Sequence, residues 1–353
     1  MTLRLFTRYV SSVAVSWFAF AALALSSCVS NSVAVGSGAG GESNAIASAF
    51  KMKRCVNMGN SLEAPRGVAW GGDHIGHADF KRIHNKGFDT VRIPVRWDDY
   101  ASDDADFTIE AEFAGTVKRA VDQALANGLN VILNIHHFDG MMKTPDAAMP
   151  KFLALWEQIA TDYQDYPDTL WFETLNEPSR ALKGEIMREA QRRAVEIIRH
   201  TNPDRIVILG GEDWSGIRTL DSNIAAPDNN IVYTFHYYDP FDFTHYQAEW
   251  TKPNMPDELR GWGSSADRAQ LDRDIETAVA YRDRTGRPLF LGEFGVYTTL
   301  KDADRNRWID AVRKGMEEAD IPWCLWAYAN TFAVYDAEAG QWRPDTIRAL
   351  GLD

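Results

Sequence analysis

Apolar residues along most of this chain fall into short runs of strand length. These alternate with longer stretches in which apolar positions return every three or four residues. The short runs are Cys55–Met58, Thr90–Pro94, Asn130–His136, Thr169–Asn176, Arg205–Gly210, Ile231–Tyr237, Pro288–Glu293 and Pro322–Ala327. The cores of the third and fifth, VILNI and RIVIL, are near-continuous rather than alternating, as expected of strands covered on both faces. The stretches Ile109–Ala126, Met149–Tyr166, Glu185–His200, Ala266–Arg284 and Asp304–Ala319 carry helical spacing; in the first, Val117, Val121, Ala124 and Leu125 share one face. Strands alternating with helices over most of the chain predict an α/β fold, a (β/α)8 TIM barrel forming one domain. A doubly wound sheet is the architectural rival, but the nearest candidate for its Gly-rich phosphate turn, Asn57-Met58-Gly59-Asn60, lacks the spacing. No segment repeats at a period of roughly 20 to 50 residues, which argues against solenoids and propellers.

The N-terminus follows a different pattern. Arg4 and Arg8 precede an apolar run, Val13–Leu25, that is short for a membrane span, and Leu25-Ser26-Ser27-Cys28 follows. A basic start, a short apolar run and small residues form a secretory leader. The cysteine directly after them resembles a bacterial lipoprotein lipobox, which implies cleavage before Cys28 and lipid on its thiol. Residues 1–27 are therefore read as a signal peptide of lipoprotein type. Residues 28–49, rich in Gly, Ser and Ala, read as a flexible linker, and residues 50–353 as the folded domain. The expected location is beyond the inner membrane, periplasmic or at the cell surface, with the lipid as the one membrane contact.

Composition narrows the partners. The chain has 353 residues, 45% of them hydrophobic, which suffices for a large core. Its net charge is −13 and no basic cluster is visible, which excludes a nucleic-acid partner and favours a neutral one. Twelve tryptophans are enough to supply both core and flat stacking surfaces. Three cysteines are too few for a disulfide framework, and Cys55 and Cys324, both in apolar runs, are expected as buried thiols.

In a barrel, chemistry gathers where the strands end. The runs deliver in turn Asn57, Asn60 and Glu63; Arg92 and Trp97; His136 and His137; Asn176 and Glu177; Glu212, Asp213 and Trp214; His236, Tyr237 and Tyr238; Glu293; and Trp326. Burying such groups without partners is costly, so their shared rim points to a site. Glu63 and Glu212 read equally well as site residues or as structural ones, helix caps or surface ion pairs. Glu177 and Glu293, after the fourth and seventh runs, form the pair of carboxylates that glycoside hydrolysis uses. One must hold a proton for the leaving oxygen and the other must be ionised. Arg92, His236 and Tyr238 can favour the ionised form of one of them. Neighbours on a strand point to opposite faces, so His136 and His137 cannot both grip one ion from it. No metal and no cofactor is expected; one His faces the cleft and the other belongs to the wall.

Six motifs then carry a resemblance: VRIP at 91–94, NIHH at 134–137, LNEP at 175–178, FHYY at 235–238, GEFG at 292–295 and LWAY at 325–328. Together they are similar to the family 5 glycoside hydrolases, cellulase-like enzymes with glutamates on barrel strands four and seven. The match runs from about residue 55 to 328. It implies a retaining mechanism with Glu177 as acid/base and Glu293 as nucleophile. It also implies that Asn176 bonds the sugar 2-hydroxyl and that Arg92 and Tyr238 steady the nucleophile. His136 and His236 would line the same subsite, and Trp326 would lie under the reacting sugar. NMGNSLEAP resembles the family's N-x-G-N stretch, although Cys55-Val56 stands where many relatives have tryptophan.

The expected activity is hydrolysis of β-1,4-glucan, with a β-glucan polysaccharide or oligosaccharide as partner. Trp70, Trp97, Phe138, Trp214, Tyr237 and Trp250 are candidates for stacking on sugar rings, and Asn60 for a polar contact. Another polysaccharidase on the same barrel (mannanase, mixed-linkage or β-1,3-glucanase, xyloglucanase) is the enzymatic alternative. A non-catalytic glycan-binding barrel is the alternative from outside enzymology.

Overall fold

The structure is a computed structural model that describes residues 49–71, 75–251 and 255–353. The leader, Cys28 and the linker as far as residue 48 lie outside the described residues. Each of the eight apolar runs marks a strand, to within a residue or a few at each end: β1 (Arg54–Asn57), β2 (Thr90–Ile93), β3 (Asn130–Asn134), β4 (Leu170–Glu173), β5 (Val207–Gly210), β6 (Ile231–Tyr237), β7 (Leu289–Phe294) and β8 (Trp323–Leu325). They pair in parallel in chain order, and β8 closes on β1 to complete the barrel.

The helical spacing is realised as α2 (Ala111–Ala126), α3 (Pro145–Asp162), α4 (Glu185–Thr201), α5 (Ser265–Thr285) and α6 (Asp302–Glu318). In α2 the buried face is Phe113, Val117, Ala120, Val121 and Ala124, with Leu125 at its edge. α5 is capped by Ser264, whose hydroxyl accepts from the Asp267 amide at 3.2 Å, a bond that satisfies one free donor of the first turn. Two features escaped the pattern. A helix α1 (His77–Lys86) follows β1; it holds only two buried residues, Phe80 and Ile83, and stops at Gly87, whose φ of 100° suits glycine. Between β5 and β6 the crossover contains a 3-10 turn, Ile217–Ser222, where the others have a long helix. After β8 a small hairpin of β9 (Tyr335–Asp336) and β10 (Gln341–Trp342) leads to a terminal helix α7 (Pro344–Ala349).

Alternation along the strands explains why their sequences look uniformly apolar. Val131 and Leu133 face the layer between sheet and helices, while Ile132 faces the barrel interior. The interior cluster contains Cys55, Ile132, Trp171, Ile208, Phe290 and Cys324. Phe50, just before β1, joins it, with ring centroids 4.6 Å from Trp171 and 5.5 Å from Phe290. Two residues further along the strands, on the same inward side, Asn57, Asn134 and Glu173 replace Cys55, Ile132 and Trp171. The interior thus changes from apolar to polar within one layer, toward the C-terminal ends of the strands.

The cysteine expectation needs correction. Cys55 and Cys324 are buried, but they form a disulfide. They are register partners across the seam between the first and last strands, with Cα atoms 4.1 Å apart despite a separation of 269 residues. Closure of the barrel brings them together, which no local pattern reveals. A bond across so long a loop restrains the unfolded chain strongly. The double variant Cys55→Ala, Cys324→Ala is expected to unfold at lower urea concentration, with a stability loss of about 2–4 kcal/mol. Reductant should bring the wild type toward the same midpoint; equal stability of all three samples would show that the cross-link adds nothing.

Candidate active site

Arg92 organises the site. Val91 and Ile93 point outward from β2, so Arg92 points into the barrel, where its side chain is fully buried. Nε and Nη2 donate to Glu173 at 2.6 and 3.1 Å, Nη1 to Asn57 Oδ1 at 2.7 Å and to Glu293 Oε1 at 2.8 Å, and Nη2 also to Asn176 Oδ1 at 2.5 Å. All five guanidinium N–H groups therefore have acceptors. Glu173 stands inside the apolar strand LWFE and was not among the expected site residues. An acid at the buried end of an apolar strand needs a buried cation, and that was the available signal.

Glu293 stands on β7 itself. Besides Arg92, the Tyr238 hydroxyl donates to its Oε2 at 3.0 Å. His236 Nδ1 lies 3.7 Å from that oxygen, and His136 Nε2 lies 3.9 Å from Oε1. Glu177 is not on a strand, contrary to expectation: β4 ends at Glu173, and the chain bends at Thr174 and Asn176 before reaching it. That segment is pinned on both sides. The Asn176 amide donates to Ile135 O at 3.0 Å, the Trp214 amide to Pro178 O at 3.1 Å, and the Ser215 hydroxyl to Asn176 O at 2.9 Å. Glu177 Oε1 meets His236 Nδ1 at 2.7 Å, and a quarter of its side chain is open to the cleft.

Oxygen atoms of Glu177 and Glu293, and a ring nitrogen of His236, all lie within 4.8 Å of one another. That suits the roughly 5 to 5.5 Å between the carboxyl groups of a retaining pair. Three such residues can also embrace a cation, but here Arg92 already supplies positive charge at 2.8 Å from Glu293.

The two acids differ in their surroundings. Burial pushes Glu177 up to about 8, against the pull of Arg92. Burial raises Glu293 as well, but His236 and Arg92 oppose it, and two donors bond its oxygens directly. Glu293 therefore ionises first, and Glu177 keeps its proton. His136 is held well below the usual histidine range by burial, with His137 and Arg92 adding to it; burial also lowers His236. The His136 ring is neutral at pH 7.

These groups open into a cleft of about 1180 Å³ lined by Asn60, His136, Asn176, Glu177, Glu293 and Trp326, among others. Trp326 lies nearly parallel to His136, at 5.4 Å and 9°. Its indole needs Gly59, because a Cβ there would sit 2.8 Å from the ring. Trp70, Phe138, Trp214 and Trp250 also line the cleft, and the three indoles among them are 38%, 52% and 59% exposed.

Two of the expected stacking residues are elsewhere. Trp97 is buried, with its ring edge-on to Phe113 and Nε1 donating to Asn134 O at 3.0 Å; it is wall, not substrate platform. Tyr237 alternates outward from β6, packs on Trp308 and donates to Asp274 at 3.0 Å. The histidine pair also departs from expectation. β3 ends at Asn134, so strand alternation no longer governs His136 and His137, and both line the cleft. Glu63 is buried and accepts from the Asn60 and Ser61 amides, capping the turn after β1, while Glu212 accepts from the Gly184 amide at 2.8 Å, just ahead of α4.

A closed (β/α)8 barrel with two opposed glutamates, one protonated and one ion-paired, in a tryptophan-rimmed cleft defines a glycoside hydrolase of the two-carboxylate type. Residues 48–331 match the sequence model of Cellulase (glycosyl hydrolase family 5), and the chain belongs to that family. Endoglucanase H of Acetivibrio thermocellus is 33% identical over 310 residues; these cover 85% of this chain but only 33% of that protein. The cellulose synthase subunit Z of Clostridioides difficile superposes with TM-score 0.82 at 38% identity, over 85% of this chain and 99% of the other. Cel5A of Thermotoga maritima, solved with cellobiose and with mannotriose, has TM-score 0.81 and 35% identity in both cases. The two comparisons cover 88% and 85% of this chain and 99% and 97% of the other.

The electrostatics set the pH response. With Glu177 as the proton donor, kcat/KM should fall tenfold per unit as pH rises past about 8. On the acid side it should fall as Glu293 takes up a proton, above the ordinary carboxylate range because burial raises it. In Glu177→Gln, assayed on an aryl glycoside whose leaving group needs no proton, the basic limb should vanish. A limb that persists there would belong to another group.

Proposed function

We propose that this protein hydrolyses β-1,4-linked glucan with retention of anomeric configuration, as an endoglucanase. The observation that carries the reading is the pair Glu177 and Glu293, with oxygens within 4.8 Å across an open cleft. Glu293 attacks the anomeric carbon while Glu177 protonates the departing glycosidic oxygen. Glu177, now ionised, then takes a proton from water, which releases the sugar from Glu293. Asn176 accepts from Arg92 through Oδ1, which leaves its Nδ2 to donate to the sugar 2-hydroxyl. Trp326 offers an apolar face beneath the reacting ring. The endoglucanase and cellobiose-bound relatives support glucan as the substrate. The mannotriose complex of the Thermotoga protein supports β-mannan as a second one.

Glu293→Ala and Glu177→Ala should each lower turnover of carboxymethyl-cellulose by roughly 10³-fold or more, with unchanged circular dichroism. Early product should be the β-anomer by NMR, and α-anomer first would refute retention. Turnover of β-mannan, xyloglucan or β-1,3-glucan in clear preference to β-1,4-glucan would move the substrate assignment.

The proposal extends to location: lipid on Cys28 tethers the domain to a membrane beyond the cytoplasm. Cys28→Ala should lose labelling by a palmitate analogue and shift the protein from the membrane to the soluble fraction. Continued labelling would place the anchor elsewhere.

A further inference from the structure

His136 presents Nε2 toward Glu293, but an imidazole carries its proton on either nitrogen. Which one decides whether the ring offers the site a donor or an acceptor. The residues behind it settle the choice. Glu173, ion-paired with Arg92 at 2.6 and 3.1 Å, has only acceptor oxygens to offer. Asn134 Nδ2 lies 3.1 Å from Glu173 Oε2, and Asn134 Oδ1 lies 3.3 Å from the Val95 amide. Turning the Asn134 amide over would set oxygen against carboxylate and NH2 against N–H, so the amide has one orientation. Its second hydrogen then faces His136 Nδ1 at 3.2 Å. Nδ1 must accept, and the ring proton is left on Nε2.

We propose that Glu173 and Asn134 form a positioning relay that holds His136 in the Nε2–H tautomer, so that the ring presents a donor to the reacting end of the cleft. At 3.9 Å from Glu293 Oε1, Nε2 is beyond direct hydrogen-bond reach of the nucleophile. The donor therefore serves a sugar hydroxyl placed between them, or the carboxylate once it moves to attack. Neither Glu173 nor Asn134 lines the cleft; both act through His136 and Arg92. The inference deepens the glycosidase reading and uses its site, but the tautomer can be measured with no substrate present.

The test is a long-range proton–nitrogen NMR spectrum of the full enzyme with labelled histidine at pH 7. The His136 signals are assigned by their loss in His136→Gln. The wild type should show Nε2 protonated and Nδ1 bare. Asn134→Leu removes the donor while keeping the shape, and should let the ring sample the other tautomer. Glu173→Leu removes one of the two contacts that orient the Asn134 amide, and should likewise loosen the ring's preference for Nε2–H. In both variants kcat/KM should fall roughly tenfold, the scale of one lost hydrogen bond. A wild-type proton on Nδ1, or an Nε2–H pattern unchanged in every variant that folds, would overturn the relay. Failure to cleave glucan with the Nε2–H pattern present would instead refute only the substrate reading.

Discussion

One buried guanidinium, shared between two carboxylates, holds this site together. A charge with no exposure to water is tolerated only when its partners replace water's contacts. Arg92 achieves this because β1, β2, β4 and β7 each contribute to one inward-facing layer, and Asn57, Glu173 and Glu293 from it, with Asn176 from the turn after β4, converge on its five N–H groups. The sharing has a chemical consequence. Were Glu293 the only counterion, a tight pair would oppose the nucleophilic role proposed for it. Glu173 takes the bidentate face instead and leaves a single N–H, on Nη1, for Glu293. Glu293 is thereby kept anionic without being fully neutralised. Burial keeps Glu177, within 4.8 Å of it, in the protonated state that the opposite role demands.

The barrel makes this possible by stacking unlike layers. Beneath the polar layer, the apolar cluster with Trp171, Phe290 and the Cys55–Cys324 bond fills the interior, and Phe50 joins it. Water is excluded from below, so the ion pairs above act in a medium of low polarisability. On the open side, tryptophans at half exposure provide flat surfaces suited to a neutral, hydroxyl-rich chain. The acidic net charge of −13 fits a partner that is not itself anionic.

Much of this architecture was legible in the sequence, for identifiable reasons. Strands buried on both faces must be apolar at nearly every position, so β3 and β5 declared themselves. Helices on the barrel's outside need one apolar stripe, so α2 did too. α1 escaped because its stripe is reduced to Phe80 and Ile83, and the β5–β6 crossover departed from pattern because its 3-10 turn carries no helical period. Glu177 and Glu293 stood out as acids at the ends of buried runs. Tyr237 was misplaced because alternation along β6 turns it outward; Trp97 and His137 were misplaced because a side chain's direction depends on where the strand stops. β2 ends at Ile93, before Trp97, and β3 ends at Asn134, before the histidine pair.

The sequence by itself determined the strand count and the barrel, and marked the two acids that face each other across the cleft, since local period and residue type are properties of neighbours along the chain. The tertiary structure alone decided the partners: Cys55 with Cys324, Arg92 with Glu173, Glu177 with His236, and which tryptophans meet the cleft. Those pairings depend on the register with which eight strands close and on the turns that follow them. Distances set by closure, between residues as many as 269 positions apart, leave no trace in any short window of sequence.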